Sequence, residues 1–188
     1  VSNTVVDDGG DGKIYFGTGK ATLSEGFVCA DALTGDTLWV RHSALGTGFP
    51  GGFGGLTGEV QYATSVIVGN NVYFGTSFGM FYALDKNTGA DVWNATLDQG
   101  VWFSPTTDGT DIFVGTSDGY LAAMPTLGGT VYKLDGTTGA TLFTWAGYDA
   151  AFEGFVTAPV YNADEDAIYV NGNLGVGVGS SGYYEGLL

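Results

Sequence analysis

Apolar residues along this chain fall in runs of four to seven positions with alternating character, broken by glycine, asparagine and aspartate. That period of two predicts half-buried β-strands, and the breaks predict tight turns. The clearest stretch places strands over residues 63–68, 72–76, 80–84 and 91–97, with turns at Gly69-Asn70-Asn71, Phe78-Gly79 and 85–89. One of these strands returns along the chain as Ile14-Tyr15-Phe16-Gly17-Thr18, Val72-Tyr73-Phe74-Gly75-Thr76 and Ile112-Phe113-Val114-Gly115-Thr116, and again as Ile168-Tyr169-Val170. A spacing of 40 to 58 residues is that of stacked supersecondary units.

A second signature follows three of those strands. It reads Asp31-Ala-Leu-Thr34-Gly35 with Trp39, Asp85-Lys-Asn-Thr88-Gly89 with Trp93, and Asp135-Gly-Thr-Thr138-Gly139 with Phe143. The aspartate can accept backbone N–H groups two or three residues on, and the glycine supplies the positive φ that closes the turn. The aromatic falls on the outgoing strand, where Trp39, Trp93 or Phe143 can pack between neighbouring sheets. A residue that recurs in every unit serves the unit, so Asp31, Gly35, Asp85, Gly89, Asp135 and Gly139 are expected to be structural.

Four short antiparallel strands per repeat predict an all-β fold, a β-propeller of radial four-stranded blades. The chain offers three blades and part of a fourth, an incomplete ring within one domain over 1–188. The blades are expected near 3–45, 60–98, 101–146 and, in part, 155–188. The third has strands expected at 103–107, 112–116, 120–124, 130–134 and 141–145. The fourth has strands at 156–161 and 167–170, dissolves into glycine-rich sequence after Asn171, and lacks a recognisable last strand. Glycine-rich 46–58 and 146–154 read as links between blades. Unpaired edges at both ends imply further blades or another chain to complete the ring.

Charge changes the functional picture. Twenty acidic residues against five Lys and Arg give a net −15, a field that repels nucleic acid and anionic membranes and suits a saline or calcium-containing exterior. No apolar run reaches the ~18 residues of a spanning helix, so direct membrane insertion is not expected. One cysteine, Cys29 in an apolar run, reads as a buried thiol and allows no intrachain disulfide. The chain starts at Val1 without Met or a signal peptide, which reads as processing, truncation or partial representation. Asn94-Ala95-Thr96 fits a glycosylation sequon.

The run from Val72 to Trp93 resembles the repeat of the quinoprotein-like (PQQ-like) β-propellers, and the first and third copies match it less completely. The resemblance covers about residues 3–171. It implies rings of seven or eight blades, and either quinone-dependent alcohol and sugar dehydrogenases or cofactor-free propellers such as an outer-membrane assembly scaffold. The dehydrogenase reading implies PQQ beside an adjacent cysteine pair and over a tryptophan, with Glu, Asn and Asp around calcium; one cysteine cannot supply that pair. Trp102, outside the repeat position, is the candidate cofactor platform.

Other chemistry is thin. His42 is expected to be solvated at the end of an outer strand, and no cluster has metal-ligand spacing. Glu59, Glu153 and Glu185 fall in regions read as blade links or termini. The turns holding Asp7, Asp8 and Asp11, and Asp164, Glu165 and Asp166, are the oxygen-rich places that could hold Ca²⁺. The expectation is an exported scaffold (extracellular, cell-surface or periplasmic) that mediates protein assembly without its own cofactor. A fragment of a PQQ- and calcium-dependent dehydrogenase is the alternative.

Overall fold

The computed structural model describes residues 5–6, 10–17, 26–42, 65–77, 79–117, 129–145, 152–155, 158–174 and 181–186. Among these residues there is no helix. Four sheets follow one another along the chain. The first is β1 (Val5–Val6), β2 (Lys13–Gly17), β3 (Gly26–Asp31) and β4 (Thr37–His42). The second is β5 (Val66–Val68), β6 (Asn71–Gly75), β7 (Met80–Asp85) and β8 (Asp91–Thr96), and the third β9 (Thr106–Thr107), β10 (Asp111–Gly115), β11 (Val131–Asp135) and β12 (Thr141–Trp145). Each of these sheets is an antiparallel meander in chain order. First strands approach one another, β5 to β9 and β9 to β14 (Val160–Asn162), so they lie innermost and the later strands radiate outward. The chain is a β-propeller segment.

The fourth sheet departs from expectation. Of the strand expected over 156–161, the described residues show β14, and β13 (Phe152–Phe155) precedes it, mostly within the segment read as a link. Both pair with one edge of β15 (Ala167–Leu174), which runs past Asn171 instead of dissolving there. Its other edge pairs with β16 (Ser181–Gly186) from Ile168↔Gly186 to Asn173↔Ser181. Hydrophobic alternation located β14 and the start of β15 but not the extension of β15 past Asn171 or β16, where glycines leave no pattern. In the third sheet the inner strand shrinks to Thr106–Thr107. The strand expected at 120–124 and the link at 46–58 lie outside the described residues.

Three apolar layers join consecutive sheets. Tyr15, Phe27 and Cys29 of the first meet Val72, Phe74, Tyr82 and Leu84 of the second, with Phe27 stacked on Phe74 at 4.0 Å. Tyr73, Phe81, Ala83 and Trp93 on the opposite face of the second sheet meet Ile112, Val114 and Leu134 of the third. Phe113 and Val131 then meet Ile168 and Tyr161 of the fourth. Alternation along one strand thus serves two interfaces, the next sheet and the previous one. Cys29 is buried in the first layer, as its apolar context requires.

The recurrent aromatic closes each layer at the turn end. A β-bulge in the β3–β4, β7–β8 and β11–β12 ladders leaves Leu38, Val92 and Leu142 as the extra, exposed residue. A bulge bends and twists its strand, and here it aims the following aromatic at the next sheet. Trp39 lies so close to Gly89 that a Cβ there would come within 2.6 Å of its ring, and Trp93 lies on Gly139 in the same way. Phe143 behaves differently. It is 42% exposed, because the fourth sheet carries no Asp-x-x-Thr-Gly turn among the described residues to cover it.

Two variants test this arrangement. Trp93→Ala removes a buried indole and should destabilise by about 3–5 kcal/mol, whereas His42→Ala, on an exposed side chain, should change stability by less than ~0.5 kcal/mol. Chemical denaturation of both variants checks the strand facing; equal losses would mean that it is wrong.

Candidate functional site

Two structural ends can be built from the residues. At one end stand the three turns. Asp31 Oδ1 accepts the N–H groups of Leu33 and Thr34 at 2.9 and 2.8 Å. Asp85 Oδ1 takes those of Asn87 and Thr88 at 3.0 and 2.8 Å, and Asp135 Oδ1 those of Thr137 and Thr138 at 2.8 and 2.7 Å. Gly35, Gly89 and Gly139 have φ of 77°, 71° and 73°, a region a β-branched residue adopts only under strain. These contacts hold all three carboxyls below the usual aspartate range. The Thr34 N–H leads for Asp31, the Thr88 hydroxyl for Asp85 and the Thr138 N–H for Asp135.

The carbonyl just after Asp85 and Asp135 is the receptor for the preceding sheet. Lys86 O accepts Tyr15 Oη at 3.0 Å and Trp39 Nε1 at 3.1 Å. Gly136 O accepts Tyr73 Oη at 2.8 Å and Trp93 Nε1 at 3.0 Å. Cations add to the first of these joints: Arg41 Nε donates to Asp91 at 2.9 Å and its guanidinium lies 4.0 Å over Tyr82, while Lys13 Nζ donates to Asn87 at 2.7 Å.

At the other end, residues 97–101 carry the chain from β8 towards β9. Leu97 N donates to Gly79 O at 2.7 Å, Val101 N to Thr76 O at 2.8 Å and Ser117 N to Gly100 O at 2.9 Å. The threonine of the strand signature closes the adjacent turn: Thr76 Oγ1 accepts Met80 N at 3.2 Å and Thr116 Oγ1 accepts Thr130 N at 3.0 Å. Asp98, on this link, accepts the hydroxyls of Thr116 at 2.7 Å and Thr130 at 2.5 Å, and its N–H donates to Tyr132 Oη at 3.2 Å. Burial pushes the Tyr132 phenol up. A carboxylate that accepts two hydroxyls of the next sheet is a latch between sheets. Sequence reasoning missed Asp98 because it lies outside both signatures; the one available hint was the threonine after each Gly75- or Gly115-type glycine, which marks the turn that it grips.

The remaining candidates do not converge. Trp102 is half-buried, and its indole N–H donates to Ser117 O at 3.0 Å. Asp7, Asp8 and Glu59 lie outside the described residues. Asp11 accepts Lys13 Nζ at 2.9 Å. Asp166 accepts the Tyr161 hydroxyl at 2.9 Å, Glu165 accepts that of Tyr169, and the Asp164 N–H donates to Asn162. Glu153 and Glu185 belong to β13 and β16 rather than to loops. Among the described residues no group of three or more His, Cys, Asp or Glu side chains is placed to hold a metal ion.

The family model described as outer membrane protein assembly factor BamB matches residues 24–181; the chain belongs to this family of PQQ-like β-propellers. BamB from Moraxella catarrhalis is similar at 22% identity and a TM-score of 0.63, over 93% of this chain and 46% of that one. Quinohemoprotein alcohol dehydrogenase from Comamonas testosteroni is similar at 15% identity and a TM-score of 0.65, over 91% of this chain and 28% of that one. The computationally designed Ika4 protein is similar at 14% identity and a TM-score of 0.60, over 98% of this chain and 91% of that one. At these identities the likeness is one of fold. The chain spans less than half the length of the two natural proteins. No curated protein matches the chain.

The depressed carboxyls set a pH dependence. A folded pKa below the unfolded value, near 3.9, gives stability that is present above that value and lost as pH falls through the lower folded one. Stability should therefore decline below about pH 4, and Asp85→Ala should flatten that acid limb in thermal melts from neutral to strongly acidic buffer. An acid slope unchanged by Asp85→Ala would show that these turns do not set it.

Proposed function

We propose that the chain is a non-catalytic scaffold that mediates protein assembly in an exported compartment. The match to the BamB family model over residues 24–181 carries this reading. The geometry supports it: the signature aspartates close their own turns, and Trp39, Trp93 and Asp98 are engaged in joining sheets. The surface supports it too. Lys13, Arg41 and Lys133 are paired with aspartates at 2.9, 2.9 and 3.1 Å, and Lys86 stands 3.9 Å from Asp11. The chain carries a net charge of −15, which favours a partner with a basic surface. No described helix is long and apolar enough to cross a membrane.

The dehydrogenase reading has one observation in its favour, the fold shared with quinohemoprotein alcohol dehydrogenase. Incubation with PQQ and Ca²⁺, followed by dye-linked alcohol oxidation, separates the two. The scaffold reading expects no turnover, and native crosslinking should recover the chain with another polypeptide in stoichiometric amount. Turnover that depends on both PQQ and Ca²⁺ would overturn it.

The charge generates a further expectation. Self-repulsion is relieved by screening, so the melting temperature should rise as NaCl goes from about 0.01 to 0.5 M. A calcium site in an acidic turn would add a gain at millimolar Ca²⁺ that survives high salt and that Mg²⁺ does not reproduce. Calcium and magnesium acting alike, with both effects gone at high NaCl, would leave screening alone.

A further inference from the structure

Asn94-Ala95-Thr96 is the one Asn-x-Ser/Thr tripeptide in the chain, and its middle residue is not proline. It lies in β8, the last strand in the order of the second sheet. Alternation along the strand sorts its residues. Trp93 and Ala95 pack in the layer shared with the third sheet. Asn94 and Thr96 stand on the other face, opposite Tyr82 and Met80 in the ladder, and both are exposed. The Thr96 hydroxyl donates to the Met80 thioether at 3.5 Å, a weak acceptor that leaves it open to competition. The strand thus presents an amide and a hydroxyl, two residues apart, on one solvent-facing side.

The repeat does not require asparagine at this place. The residue after the recurrent aromatic is Val40 opposite Val28 in the first sheet, Asn94 opposite Tyr82 in the second and Thr144 opposite Tyr132 in the third. What recurs serves the blade, and Asn94 does not recur. The edge itself gives a modification something to do. An outer strand offers unpaired backbone groups to any other strand, and such edges are commonly blunted. From Val92 to Thr96 the strand β8 carries no charged residue, and Val92 is 47% exposed. A bulky hydrated group on Asn94 would cover that edge.

We propose that Asn94 is an N-glycosylation site, loaded by a transferase from an oligosaccharide carried on a lipid-linked phosphate. The Asn94 amide nitrogen attacks the anomeric carbon of the sugar. The bond from that carbon to the phosphate oxygen breaks, the lipid phosphate leaves, and the transferase takes one amide proton. An N-glycosidic bond replaces an N–H bond with no change of oxidation state. The Thr96 hydroxyl, on the same side of the strand, is the group by which the acceptor is recognised. The proposal rests on the exported compartment proposed above, where such donors present their sugar.

Mass spectrometry of the protein isolated from the cells that make it tests this. A protease that cuts before aspartate releases residues 91–97, a short peptide holding the whole tripeptide. That peptide should be heavier by a whole number of sugar residues, with fragment ions placing the added mass on Asn94. Thr96→Ala, which leaves Asn94 in place, should lose the added mass, and Thr96→Ser should keep it, with far-UV circular dichroism unchanged in both. A bare peptide from protein recovered outside the cytoplasm would overturn the proposal, leave Asn94 a solvated edge residue and spare the exported reading. A bare peptide from protein found in the cytoplasm would overturn both. Sugar that persists in Thr96→Ala would show attachment that the tripeptide does not direct, and would overturn the proposal as well.

Discussion

An indole laid on a glycine of positive φ holds one sheet to the next. Gly89 and Gly139 leave no room for a side chain beneath Trp39 and Trp93, and the indole N–H groups reach the carbonyls of Lys86 and Gly136. The other repeated features can be read as conditions for that contact. The aspartate closes the turn that exposes the carbonyl, and the bulge at Leu38 or Val92 aims the ring. The tyrosine of the second strand supplies a second donor to the same oxygen. The carbonyl has two lone pairs, and in this buried setting both are used.

The third joint shows what happens when the conditions lapse together. Phe113 replaces the tyrosine and Phe143 the tryptophan, so neither donor is present, and the described part of the fourth sheet brings no such turn. The joint rests instead on Phe113 stacked against Tyr161 at 5.8 Å, with Lys133 Nζ 5.2 Å above the Phe113 ring. Apolar burial without directional contacts suffices to seat a sheet, but it specifies register less sharply.

The fold was legible because glycine, aspartate and aromatic residues recur at fixed offsets, and each has a local mechanical reason. Gly35, Gly89 and Gly139 could be assigned positive φ from sequence for that reason. The docking of Trp93 on Gly139 could not, since it joins residues of different repeats and nothing in one repeat encodes the neighbour. The same limit explains Phe143, which follows the pattern in sequence and fails it in space. Asp98 was invisible because its partners, Thr116 and Thr130, lie across a sheet boundary. The end of β15 past Asn171 and all of β16 were obscured by glycine, whose pairing leaves no hydrophobic period.

A double-mutant cycle on Tyr73→Phe and Trp93→Phe tests the shared-carbonyl account most directly. Either change alone leaves Gly136 O one donor, while both together leave a buried carbonyl without one. The double variant should therefore lose more stability than the sum of the single variants, by at least about 0.5 kcal/mol. Additivity within about 0.3 kcal/mol would contradict the account and reduce the joint to apolar packing alone.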